Sequence, residues 1–228
     1  MAKYKVGVIG AISGKLGALV FNKNGTIRSN SGTTNPNTPK QATVRALLGA
    51  LSNNWRTIGT PAQKAWSDAS ANYPQVDRLG DTFFLSGQGL YMKLNTSLLF
   101  VGETPINQPL APAAVQSMVL ASAVFDLTLV SFLIEGSVDP VPADHVWLLE
   151  ASKPTGSGIQ FAGRSDYRKI GVIAAAGIMP QDLQVGYDDV FGGFAYAEGD
   201  VVFIRSTMVN ILTGQRSAVS TARIKMTV

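Results

Sequence analysis

Three prolines, Pro105, Pro109 and Pro112, fall within eight residues, and they divide the chain more sharply than any other feature. Proline fixes φ and removes a backbone donor, so neither a helix nor a central strand runs through such a stretch. Residues 103–114 therefore read as an extended linker and a domain boundary. The two sides are patterned differently. Upstream, apolar residues recur at helical spacing; downstream, short apolar runs alternate with turn residues and show no convincing helical period.

Two helix starts upstream share one design. Thr38-Pro39-Lys40-Gln41 and Thr60-Pro61-Ala62-Gln63 each place Thr at the N-cap, Pro at the first helical position and Gln at the third. The hydroxyl accepts an orphan backbone N–H, Pro loses no bond there, and Gln reaches back to the cap. The first helix is expected over about 38–57, with Val44, Leu47, Leu48, Leu51 and Trp55 on one stripe and Gly59 as its stop. The second spans about 61–72 and lets Trp66 pack on Trp55 as core. A third covers about 86–101, with Leu90, Tyr91, Leu94, Leu98 and Leu99 apolar. Ahead of the helices, strands are expected at 4–9 and 16–22, followed by an Asn24-Gly25 turn and a returning strand at 26–29, because Asn-Gly favours the positive φ of a tight hairpin. Residues 29–37 read as a loop or arm.

Downstream, seven strands are expected: 115–121, 126–135, 145–151, 167–174, 184–187, 200–209 and 217–228, with Trp147 as the large inward anchor. The resulting fold class is α+β. A hairpin and arm (1–37) and a helical region (38–102) lead through the linker (103–114) to an all-β sandwich of immunoglobulin or fibronectin-III type (115–228).

Charge is scarce and unevenly placed. Charged residues make up 15% of the chain, against about a quarter in an ordinary soluble domain, so part of the surface is expected to face something other than water. Residues 1–100 carry eleven Lys/Arg and three Asp/Glu, whereas residues 101–228 carry eight and twelve; the first acid is Asp68. The basic segment therefore complements the acidic half of another copy. Subunit contacts are expected from Lys3, Lys5, Lys15, Lys23 and Arg28 on one side and Asp188, Asp189, Glu198 and Asp200 on the other. A solvated basic face and nucleic-acid binding are the alternatives, although the cations are spread out and lack interleaved aromatics.

Catalytic chemistry finds little support. There is no cysteine and one histidine, His145, which excludes disulfides, a cysteine-bound zinc and a cysteine nucleophile. The segment Gly10–Leu16 departs from a phosphate-binding loop, with Ile9 where the first glycine belongs and Leu16 where Ser or Thr would hold magnesium. No nucleophile motif accompanies His145, and the acids around Gly192-Gly193 match no calcium loop. No catalytic residue, cofactor or metal is assigned, and the chain is read as a non-enzyme. The apolar start is too short and interrupted for a signal peptide, and no run spans a membrane, so synthesis in a cytoplasm is expected. An exposed cluster among Tyr167, Tyr187, Phe191, Phe194 and Tyr196 would indicate a carbohydrate- or receptor-binding appendage; core packing is the plainer reading of most of them.

Several short motifs carry a resemblance. They are Ser13-Gly14-Lys15-Leu16-Gly17 with Val20-Phe21, then Asn35-Pro36-Asn37-Thr38 with Gln41 and Arg45, then Trp55, Thr60-Pro61, Gln63 and Trp66, and a glycine-rich segment leading to Asn95 and Gly102. Together with Thr213-Gly214 before the last strand, this pattern resembles a family of uncharacterised proteins of tailed phages and prophage regions. The resemblance implies a virion structural protein with a C-terminal β-sandwich, located in a capsid, neck, tail or fibre. Its partners would be copies of itself and other virion proteins.

Overall fold

The computed structural model describes residues 2–3, 14–22, 26–29, 38–77, 79–163, 165–195 and 197–227. The strand expected over 4–9, the Asn24-Gly25 turn, Lys5, Lys23 and Tyr196 lie outside them. The chain divides into two units, Met1–Val44 and Arg45–Val228.

The N-terminal unit is a four-stranded sheet in the order β1-β4-β3-β2, formed by β1 (Ala2–Lys3), β2 (Gly14–Leu16), β3 (Leu19–Asn22) and β4 (Thr26–Ser29). The single strand expected over 16–22 is broken. Gly17 takes a φ of 57° and turns the chain so that Leu16 pairs with Leu19. Glycine at the first central position of a two-residue turn suits the twist of the flanking strands.

Helix α1 (Pro39–Thr57) starts at Thr38, whose Oγ1 accepts the Gln41 N–H at 3.3 Å. Helix α2 (Thr60–Ala69) does not use the same device. Gly59, at φ 86°, holds its N-cap position, Thr60 is already helical, and no side chain caps the end. The Gln63 amide does not return to that cap: its Nε2 donates to the Trp55 carbonyl at 2.8 Å, tying α2 to the end of α1. A 3-10 turn (Ser70–Asn72) and a small hairpin, β5 (Gln75–Val76) and β6 (Thr82–Phe83), lead to α3 (Gly87–Val101). Ser86 caps α3 by accepting the Gly89 N–H, and Gly102 closes it in the left-handed region with Glu103 N–H returning to the Leu98 carbonyl.

Leu51, Trp66, Leu90, Tyr91 and Leu94 form the helical core. Trp55 and Trp66 both meet the Tyr91 ring, at centroid distances of 5.3 and 5.4 Å, so a tyrosine from α3 joins the two indoles. The proline-rich segment cannot pair as a ladder, and side chains satisfy it instead. Trp66 Nε1 donates to the Asn107 carbonyl, Tyr73 Oη donates to that of Leu110, and buried Asn95 bonds both backbone groups of Ile106. Ala113 N–H donates to Gln215 Oε1 on the far side. Helices and large sheet thus belong to one unit.

That sheet has seven strands: β7 (Leu120–Asp126), β8 (Ser131–Gly136), β9 (His145–Ala151), β10 (Arg168–Ile173), β11 (Gln181–Asp182), β12 (Val201–Asn210) and β13 (Ser220–Thr227). They bond in one continuous order, β10-β9-β12-β13-β7-β8-β11, antiparallel except at β13–β7. The sheet curls nearly into a barrel. Phe125, Phe132, Ile134, Trp147, Leu149, Ile204 and Met226 fill its inside. Helix α4 (Gln184–Phe191) lies where its edges approach.

Two expectations fail here for identifiable reasons. Residues 184–187 are helical rather than extended, because Gln184, Tyr187 and Phe191 recur at helical spacing and bury together. The strand expected over 126–135 begins only at Ser131, as β8, because a turn follows Asp126. Asp126 Oδ1 accepts the N–H groups of Thr128 and Leu129 at 2.8 and 2.9 Å, and Val130 takes a φ of 49°.

Candidate functional site

Strand register sorts the N-terminal sheet into two faces. Lys15 pairs with Val20, which pairs with Arg28, so these three share one face. The rows on either side, Gly14–Phe21–Ile27 and Leu16–Leu19–Ser29, point the other way. One face is therefore basic and the other apolar. Leu16 is 70% exposed and Leu19 43%, while Phe21 and Ile27 are half-buried. Among the residues of this unit whose side chains are described, none is buried.

The structure thus brings Lys15 and Arg28 together and leaves both exposed; Lys3 pairs with Thr26 along β1. The acids expected opposite them are divided between α4 and the turn before β12. Asp188 accepts from Gln184 Nε2 at 2.9 Å, and Asp200 caps its own turn by accepting Ala197 N–H at 3.0 Å. Asp189 and Glu198 are exposed. The loop cluster expected of these acids is broken because α4 places Asp188 and Asp189 on a helix. No group of three or more acidic or histidine side chains able to hold a metal occurs among the described residues.

Helix α1 carries an apolar stripe of its own. Its C-terminal half, Leu51 and Trp55, packs in the helical core, whereas Val44 and Leu48 on the same stripe are 53% and 40% exposed. The β5–β6 hairpin adds Val76, Leu79, Phe83 and Phe84, all exposed. Of the aromatics considered for an appendage, Tyr187 and Phe191 are core, Phe194 lies under Lys153, and Tyr167 lies under Arg205.

A second polar feature was not anticipated. The outer faces of β9 and β12 carry Val146, Leu148 and Val209 against Val101 of α3. Along the same faces the apolar residues give way to a charged row, Lys169–Glu150–Arg205, aligned across β10, β9 and β12. Glu150 pairs with Arg205 at 3.1 Å, with side chains only 14% and 19% exposed. Lys169 turns to the end of α3, donating to the Phe100 carbonyl at 2.7 Å and lying over its ring. A cation suits the unsatisfied carbonyls of a helix C-terminus. Arg216 stacks on the same ring. Burial pushes both Lys169 and Arg216 below their ordinary pKa; for Arg216, Glu150 opposes the shift and Arg205 adds to it. The signal in the chain was one acid and one cation, each alone in an apolar strand: Glu150 in 145–151 and Arg205 in 201–209.

His145 opens β9 with its Nε2 3.4 Å from Asn210 Nδ2, and neither Ser nor Thr is bonded to it among the described residues. Comparison with protein-family models, curated proteins and solved structures returns no match.

Proposed function

We propose that this chain is a structural subunit that assembles with copies of itself, the N-terminal sheet packing on a neighbour. One observation carries the reading: the apolar face of that sheet holds Leu16 and Leu19 in the open, and none of the unit's described side chains is buried. Small sheets need a covered hydrophobic face to be stable in water. A neighbour supplies that cover.

The basic face, with Lys15 and Arg28, then steers the contact toward acids such as Asp189 and Glu198 of the next copy. The particle formed is a virion component or a protein filament, as the sequence resemblance implies. An immunoglobulin-like identity for the large sheet belongs to the same proposal; β7–β8 and β9–β12 contribute to one core, as the two faces of a sandwich do.

Light scattering of the full chain across protein concentration and salt tests this. Wild type is expected to grow in mass with concentration, and Leu16→Glu combined with Leu19→Glu to hold it at one subunit. Lys15→Glu combined with Arg28→Glu is expected to slow assembly at low salt more than at high salt. A wild type that stays at the mass of one subunit throughout would overturn the reading.

A further inference from the structure

The outer face of β12 and β13 continues past the Glu150–Arg205 pair. Register sets Phe203 beside Arg223 and Arg205 beside Thr221, and the second row runs on through Glu150 to Lys169. Partners in register share a face, as do residues two apart along one strand. These two rows hold three cations, Lys169, Arg205 and Arg223, and one acid, Glu150, which is paired with Arg205. The loop between β9 and β10 is tied to this face by Arg223. Its Nη2 donates to the Ser157 carbonyl at 2.8 Å and its Nε–H to that of Ile159 at 3.3 Å. Asp166 closes the loop's own turn by accepting the Gly163 N–H at 2.8 Å. A cleft of about 300 Å³ lies between loop and strands, lined by Gln160, Phe161, Tyr167, Phe203, Thr221 and Arg223.

Three of these six residues are aromatic. Phe161 is 81% exposed although it lies only two residues from the Ile159 anchor, so an uncovered ring stands at the cleft. Arg205 lies over the Tyr167 ring, 5.8 Å from its centroid. The chain carries the same chemistry in one short stretch. Phe161, Arg164, Tyr167, Arg168 and Lys169 fall within nine residues, the interleaving of rings and cations that the N-terminal basic segment lacks. Rings beside surplus cations suit a nucleic acid whose bases are unpaired, because the rings stack on bases while the cations meet phosphates. A neutral sugar would use the rings and leave the surplus charge unanswered. We propose that this face binds single-stranded nucleic acid, one base stacking on Phe161 and Tyr167 offering a second ring backed by Arg205. Arg223 and Lys169 meet the phosphates, and Gln160 and Thr221 offer hydrogen bonds to a base edge. This site is separate from the N-terminal sheet and does not rest on self-assembly.

The test is fluorescence anisotropy of a fluorescein-labelled oligothymidylate of about 12 nucleotides, a length that single-strand sites cover, titrated with the full chain over a series of salt concentrations. The chain carrying Leu16→Glu and Leu19→Glu is titrated in parallel, which keeps self-association apart from binding. Saturable binding is expected in both. Its affinity should fall with salt at a log–log slope of about −1.4 to −2.1, as two or three phosphate contacts give. Phe161→Ala should weaken binding by about fivefold to a hundredfold, the worth of one stacked base, and leave the slope unchanged; Phe161→Trp should keep it. Arg223→Gln should flatten the slope by about 0.7, one phosphate contact. If Arg223→Gln releases the loop, Phe161→Ala still reads the site, because an exposed ring can be removed without emptying the core. The proposal is overturned if the oligonucleotide does not bind at low salt, or if Phe161→Ala binds it as wild type does. Calorimetric binding of maltohexaose that Phe161→Ala removes, with no binding of the oligonucleotide, would make the cleft a carbohydrate site and overturn it as well.

Discussion

Two sheets in one chain meet opposite conditions. In the seven-stranded sheet, β9 and β12 are buried on both faces, one against the inner core and the other in part against α3. In the N-terminal sheet, β2 is exposed at all three residues, and Leu16 and Leu19 open an apolar face to water. Both use the same backbone pairing, so hydrogen bonding does not distinguish them. What differs is where the apolar side chains find partners: within one unit for the large sheet, and in the proposal on a neighbouring copy for the small one. Stability and assembly are then carried by separate parts of the molecule, and substitutions should separate them.

The largest effect is expected at Trp147, which is fully buried on β9. Trp147→Ala should lower the unfolding free energy by about 3–5 kcal/mol, the usual cost of emptying an aromatic core position, as measured by denaturant unfolding. A loss below about 1 kcal/mol would mean that the large sheet does not hold its own core. Next comes Gly186, where α4 lies so close to β10 that a Cβ would strike the Ile170 carbonyl. Gly186→Ala should cost about 1–3 kcal/mol, as overpacking does, with hydrogen exchange rising first in α4 and β10.

A smaller change is expected from Tyr91→Phe. It keeps the aromatic contacts with Trp55 and Trp66 but removes the 2.7 Å hydrogen bond from Asn54 Nδ2. About 1 kcal/mol is expected, as for a single hydrogen bond, with the sheet unaffected. The smallest effect on folding is expected from Leu16→Ser. It should change unfolding of the single subunit by less than about 0.5 kcal/mol while weakening association. Equal losses in stability at Leu16 and Trp147 would break the comparison.

The chain announces some of this architecture and hides the rest, for physical reasons. The apolar face of α3 recurs over four turns and is legible in the chain, and the apolar runs of β9 and β12 are dense enough to read without knowledge of their neighbours. Helix α4 escaped because eight residues offer only two turns of periodicity. The break at Gly17 escaped because a lone glycine inside an apolar run can mark a bulge, a close approach or a turn. Thr60 has the residue pattern of a cap, yet Gly59 reaches a positive φ more easily and takes the cap position. The proline-rich segment does lack secondary structure, but its backbone groups are bonded by Trp66, Tyr73 and Asn95, contacts that arise only once α2 and α3 have packed. The Lys169–Glu150–Arg205 row depends on register and on long-range packing. In the chain Glu150 and Arg205 appear only as lone charges in apolar strands.

Sedimentation equilibrium of the full chain over a wide concentration range at low salt tests the central claim most directly. The account predicts a weight-average mass that rises with concentration to a multiple of the subunit, and a shift of that rise to higher concentration with Leu16→Glu and Leu19→Glu. A single ideal species at the mass of one chain, unchanged by those substitutions, would contradict it.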